Sequence, residues 1–339
     1  MASEAGIGVA NIVLTFVINV LVLLCIKPLW PRGIGLPCFV TGRPDGTLRT
    51  SPRHFLAWDQ IDPAGLTQSW LLPEWGLVAF RCSMVLTWLG TMVLHAVTGG
   101  GFTYGYADPP GTWIIFFTNI TWVGFCVAFC AGLYNHLMKD LQPPPPGPAG
   151  EKVFIQHDGP TIDGIETGAG PVDLPPAEDA QACAPPPVWA WYQKAFILIW
   201  VVILTSSLML DVFYWAVIYD GGAEYWEVAG AAKEFTNAMR HAVNTALLWI
   251  DLFLSKVPIA TYHYQPVLWY TTAYAVWMWI YYGASGDWIY ESLGWDRASS
   301  PAYVILLVVL LAISLFINFG LVLLRDKLSH AYHTHRGTL

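Results

Sequence analysis

Long apolar runs separated by short polar stretches dominate the chain. A spanning helix needs about 20 apolar residues. Seven segments reach or approach that length: Ile7–Ile26, Gly76–Val97, Trp113–Leu137, Trp191–Tyr219, Phe235–Lys256, Pro266–Gly283 and Ala302–Leu324. The last is an almost unbroken run of Leu, Val, Ile and Phe, whereas the third, fifth and sixth carry more polar residues. The pattern predicts an all-α, polytopic transmembrane helical bundle of about seven spans, a single transmembrane domain over residues 1–339. The first run is read as a span and not as a cleaved signal. Its N-terminal flank carries Glu4 and no basic residue, and Lys27-Pro28-Leu29-Trp30 is not a small-residue cleavage site.

The intervening stretches differ in kind. Gln142–Pro148 (QPPPPGP) opens a segment rich in Pro, Gly, Ala and Asp, so residues 138–187 are expected to form a disordered, proline-rich inner loop. The stretch Trp30–Trp75 is longer than a connector and holds Trp58, Trp70 and Trp75, which predicts a path partly along the membrane surface. Residues 326–339 are read as a flexible C-terminal tail, with His330, His333 and His335 solvated and not metal-bound. No inverted repeat of the kind that marks many transporters is visible.

Composition agrees with a membrane protein. Of 339 residues 55% are hydrophobic and 12% charged, against about 25% charged in soluble domains. The 18 Trp and 16 Tyr suit the headgroup zones at the two membrane faces. A net charge of −8 without a basic patch excludes nucleic acid as a partner and leaves membrane lipids as the expected one. Four of the six cysteines (Cys25, Cys82, Cys126 and Cys130) lie inside apolar runs, and no CxxC spacing occurs, so no metal or cofactor is expected. Cationic residues set the orientation. With the N-terminus outside and the C-terminus inside, Lys27, Arg32, Arg43, Arg49, Arg53, Lys139, Lys152, Lys194, Lys256, Arg325, Lys327 and Arg336 fall inside, against Lys233, Arg240 and Arg297 outside. Arg81 stands at the inner start of the second span.

Polar groups inside spans are expensive and therefore candidates for function. From the predicted helix starts, Thr118 lies about 7 Å and His241 about 9 Å below the outer ends of their helices. His95 sits near the outer end of the second span, so His95, Thr118–Asn119 and His241–Asn244 share one level. On the fifth helix His241, Asn244, Leu248 and Asp251 fall within an arc of about 80°, a stripe expected to face the bundle interior. Thr118 shares a face with Thr121 and Trp122. Asp211 on the fourth helix accompanies the hydroxyls of Thr205, Ser206 and Ser207. A hydroxyl and an imidazole at one depth suit a nucleophile and its base, and Asn119 or Asn244 suits an oxyanion donor. The structural alternative is that the threonine bonds to its own backbone and a His–Asn pair ties two helices together.

Trp113-Ile-Ile-Phe-Phe-Thr118-Asn119-Ile-Thr-Trp122 resembles the "F/Y-x-T-N-W" helix of Rolling stone-like membrane proteins. Arg240-His241-Ala-Val-Asn244, followed by Asp251, resembles their "H-x-x-N" helix with its acidic residue. His263-Tyr-Gln-Pro266, Trp279-Ile280-Tyr281, Ile289-Tyr290 and Leu293-Gly-Trp295 match in order, and Gln68-Ser69-Trp70 loosely resembles "S-Q-W". That family is more distantly similar to the androgen-induced and androgen-dependent hydrolases, which cleave fatty-acid esters of hydroxy fatty acids with an intramembrane threonine and histidine. The resemblance implies a lipid-ester hydrolase with Thr118 as nucleophile and His241 as base. Asn119, Asn244, His95 and Asp251 would support the site. The alternative class is a non-enzymatic membrane protein in adhesion, fusion or complex assembly. A channel or transporter would rest on Asp211 and Asp251 alone.

Overall fold

The computed structural model describes residues 3–25, 29, 38–41, 49–50, 55–98, 116–139, 141, 189–219 and 235–337. Among them the chain builds seven helices. α1 is Glu4–Leu24, α2 Glu74–Thr98 and α3 Phe117–Lys139. α4 is Trp191–Phe213 and continues as a π-helical segment, Tyr214–Ile218. α5 covers 235–254, with a π-helical segment Met239–Val243 leading into Asn244–Leu254. α6 is Tyr264–Ser285 and α7 is Ser300–Gly337. The expected loop 138–187 lies almost wholly outside the described residues, as do 111–115 ahead of α3.

Local chemistry fixes the helix ends. Ser3 caps α1, its hydroxyl accepting from the Gly6 N–H at 3.2 Å. α6 ends at Gly286, whose φ of 80° is left-handed backbone that costs glycine little and lets its N–H return to Tyr282 O. α7 runs on through His330, His333 and His335 to Gly337. The stretch expected to be a flexible tail is therefore helical that far. Residues 325–336 contain neither Pro nor Gly, and adding turns to an existing helix avoids the cost of nucleation.

Five helices are long and apolar enough to cross a membrane: α1, α2, α3, α4 and α7. α5 and α6 fall short for different reasons. The α-helical part of α5 has only 11 residues, and the many Trp and Tyr of α6 hold its hydropathy down. Burial orders the bundle. The apolar window of α4 is 78% buried against 17% in α1, so α4 is the central helix and α1 a peripheral one. α4 packs against α3, α5, α6 and α7; α2 lies on α3; α1 leans on α6 and α7. Outward faces carry exposed Phe16, Leu86 and Phe316. In water such a surface would be an aggregation liability; against acyl chains it costs nothing.

The described part of the Trp30–Trp75 stretch packs against the end of α5. β1 (Phe39–Val40) pairs antiparallel with β2 (Arg49–Thr50), and Val40 also bridges to Ala260. The last carbonyls of α5 lack helical partners and receive donors from this cap. The Ser69 hydroxyl bonds Leu254 O and the Trp70 indole bonds Phe253 O. Arg325 of α7 donates to Leu252 O, Ser255 O and Val257 O at 2.9–3.2 Å. Cys38, Val40, Ala57 and Leu66 are wholly buried there. The hydrophobic effect thus draws these apolar residues against the end of α5.

Candidate functional site

α3 begins at Phe117, so Thr118 occupies its first turn. The first N–H groups of a helix have no intrahelical acceptor. Here the Phe117 N–H donates to the Tyr274 hydroxyl of α6 at 2.9 Å. The Tyr290 side chain lines the same cavity as Thr118 and Tyr274, with its hydroxyl beside theirs. One turn on, Thr121 Oγ1 meets the Tyr270 hydroxyl at 3.1 Å. Two rings of α6 pack on Phe117, with centroids 4.5 Å away for Tyr274 and 5.0 Å for Tyr270. Thr118 thereby sits in a compact hydroxyl cluster at one end of an apolar hollow.

That hollow lies between α1, α4, α6 and α7 and has a cavity volume of about 110 Å³. Apolar side chains such as Leu210, Phe213, Met278, Leu307 and Leu311 form most of the wall. A second polar stripe runs down α1. Asn11, Thr15 and Asn19 recur every four residues on one face and all line the cavity. Asn11 Nδ2 donates to Ser300 Oγ at 2.8 Å, and Asn19 Nδ2 to Thr272 Oγ1 at 3.0 Å. Asn11 is 1% exposed and its Oδ1 has no hydrogen-bond partner. The sequence reading treated α1 as a plain span. Three polar residues at a spacing of four within it were the available signal.

His241 is elsewhere. It stacks face to face on Tyr214, centroids 3.6 Å apart and planes 14° from parallel. Its backbone carbonyl accepts the Trp215 indole N–H at 2.7 Å. Both partners belong to π-helical segments, a widened turn often found at functional sites. Tyr214 also lines the Thr118 cavity, while His241 lines a different hollow with Asp211, Val212, Trp215, Ala216 and Ala242. No hydrogen bond joins Thr118 to His241, and the Tyr214 ring stands between His241 and the cavity that Thr118 lines.

The remaining candidates are dispersed. Asn119 Oδ1 accepts from Arg240 Nη1 at 3.0 Å, linking α3 to α5. Asn244 Oδ1 accepts the Thr245 N–H at 2.7 Å. His95 is buried on α2 and lines neither hollow. His241, Asn244, Leu248 and Asp251 are all buried, as a stripe facing inward requires. Asp251 is about 15 Å along α5 from His241 by helix rise. It pairs with Arg81 through Nε–Oδ1 at 2.9 Å and Nη2–Oδ2 at 3.4 Å, and accepts the Trp200 indole N–H at 3.1 Å. Arg81 also donates to Leu66 O and meets His136 Nε2 at 3.3 Å. Asp251 is thus the anion of a buried knot joining α2, α3, α4 and α5, away from both hollows. The described residues offer no group of three or more His, Cys, Asp or Glu able to hold a metal.

Comparison with known protein families, with curated proteins and with solved structures finds no match to this chain.

Proposed function

We propose that this chain is a seven-span membrane protein, N-terminus out and C-terminus in, that binds the acyl chain of a lipid between α1, α4, α6 and α7. The carrying observation is the apolar cavity with a hydroxyl cluster at one end. Along the α1 wall, Asn11 to Asn19 covers about 12 Å. Apolar walls suit a tail, and the hydroxyls of Thr118, Tyr274 and Tyr290 suit a carbonyl or carboxylate head. α5 and α6 count as spans because they pack within the bundle, and the cationic bias supports the orientation.

A photoreactive fatty acid tests this reading. Irradiated in membranes, it should label the wild type, with the label falling on peptides of α1, α6 or α7. Leu307→Trp fills the cavity and should remove most of the labelling. Equal labelling of both proteins removes the cavity from the account.

Ester hydrolysis is the second reading, favoured by the Thr118 hydroxyl on the cavity wall. In it Thr118 Oγ attacks the ester carbonyl, and the Tyr290 hydroxyl beside Thr118 donates to the oxyanion. His241 takes the Thr118 proton once Tyr214 swings off its face, returns it to the leaving alkoxide, and water then frees the acyl group. Turnover of a labelled fatty-acid ester should vanish in Thr118→Ala and His241→Gln. Turnover unchanged in Thr118→Ala leaves lipid binding without hydrolysis.

A further inference from the structure

The hollow around His241 has a chemistry of its own, independent of the acyl cavity. It is a wide-mouthed hollow of about 450 Å³. Asp211 and His241 are each 7% exposed. One Asp211 oxygen accepts the Thr245 hydroxyl at 2.6 Å, while Oδ1 is buried without a partner. His241 Nδ1 is likewise buried and without a partner. Among the described residues no lysine or arginine pairs with Asp211; Arg240, the nearest in sequence to His241, reaches Asn119 and the Trp122 ring instead.

Ionising Asp211 here without a counter-charge costs several kcal/mol, a cost that a bound cation offsets. The walls narrow the choice. Val212, Ala216 and Ala242 present only methyl groups, so the site supplies too few oxygens for a hard metal ion. A quaternary ammonium has no N–H to give to Asp211 Oδ1. A primary ammonium has three, enough for Asp211 Oδ1 and the lone pair of a neutral His241 Nδ1, with the Trp215 indole on the wall. α4 continues for seven residues beyond Asp211 to Ile218, about 10 Å of helix, so in the proposed orientation the hollow stands in the outer half of the bilayer, within reach of the headgroups.

We infer that the hollow between the two π-helical segments is a binding site for a protonated primary amine, held by Asp211 and His241. Such an amine arrives either on an aminophospholipid headgroup or as a free alkylamine.

The test uses the full chain in phosphatidylcholine nanodiscs, titrated calorimetrically with hexylammonium, tetramethylammonium, hexanol and sodium. Saturable binding of hexylammonium alone is expected, at least tenfold weaker in Asp211→Asn and in His241→Leu. The second variant carries the test if the first does not fold. Adding phosphatidylethanolamine to the bilayer assigns the source: loss of hexylammonium binding means the headgroup occupies the site, and unchanged binding means a free amine. Equal binding of tetramethylammonium, displacement by sodium, unchanged affinity in both variants, or no saturable binding to monodisperse wild type each overturns the inference.

Discussion

Removing either half of the Arg81–Asp251 pair should destabilise the bundle far more than its surface salt bridges suggest. Both side chains are 1% exposed, so solvent screens neither. Arg81→Met leaves a buried carboxylate whose one remaining side-chain hydrogen bond is from the Trp200 indole, and Asp251→Leu leaves a guanidinium facing Leu66 O and His136. Breaking a buried pair from one side costs about 3–5 kcal/mol. With about 2–4 °C per kcal/mol for chains of 150–250 residues, each single variant should melt on the order of 10 °C lower. The double variant Arg81→Met/Asp251→Leu buries no unpaired charge and loses only neutral partners, so it should recover at least half of either loss. The assay is the thermal midpoint in detergent, read by monodispersity after heating, for all four members of the cycle. A coupling energy near zero, with the two losses simply adding, refutes the buried pair as a shared element.

Other consequences follow from burial and close approach. His263 sits outside the spanning helices, and its Nδ1 accepts the Ala260 N–H at 3.2 Å. Burial lowers its pKa from 6.5 to about 4. The folded state therefore binds fewer protons than the unfolded one, and stability present above pH 6.5 is lost as pH falls toward 4. His263→Asn, which keeps an acceptor, should flatten the fall of the thermal midpoint between those values; an identical pH profile would contradict this. Gly8 of α1 faces the Trp295 ring, and a Cβ there would lie 2.7 Å from Trp295 Cε3. Gly8→Val should cost about 1–3 kcal/mol by overpacking, with Trp295→Ala restoring part of it. Stability that is unchanged in Gly8→Val would mean that α1 does not pack there. Thr121→Val breaks the contact with Tyr270 and should cost about 1 kcal/mol, measured as a small drop in the thermal midpoint; no measurable drop would mean that the pair adds nothing.

The helices were legible because lipid forces backbone polar groups into helices and side chains toward apolar types. The inward stripe on α5 was legible for the same reason: exposing Asn244 or Asp251 to lipid is expensive. Which polar residues meet was not. Asp251 is separated by 170 positions from Arg81, and no local pattern encodes that pairing. Matching depth brought Thr118 and His241 to one level, yet depth says nothing about lateral position, and Tyr214 separates His241 from the Thr118 cavity. The two π-helical segments were invisible to a 3.6-residue period. The polar stripe of Asn11, Thr15 and Asn19 was present in the sequence but masked by the strong apolar signal around it.

A structure of the full chain in lipid nanodiscs, determined by electron cryo-microscopy, tests the cavity most directly. Elongated density between α1, α4, α6 and α7, with its polar end at Thr118, Tyr274 and Tyr290, is the predicted result. A collapsed space, filled by the side chains of Leu307, Met278 and Phe213, would contradict lipid binding and with it the hydrolytic reading.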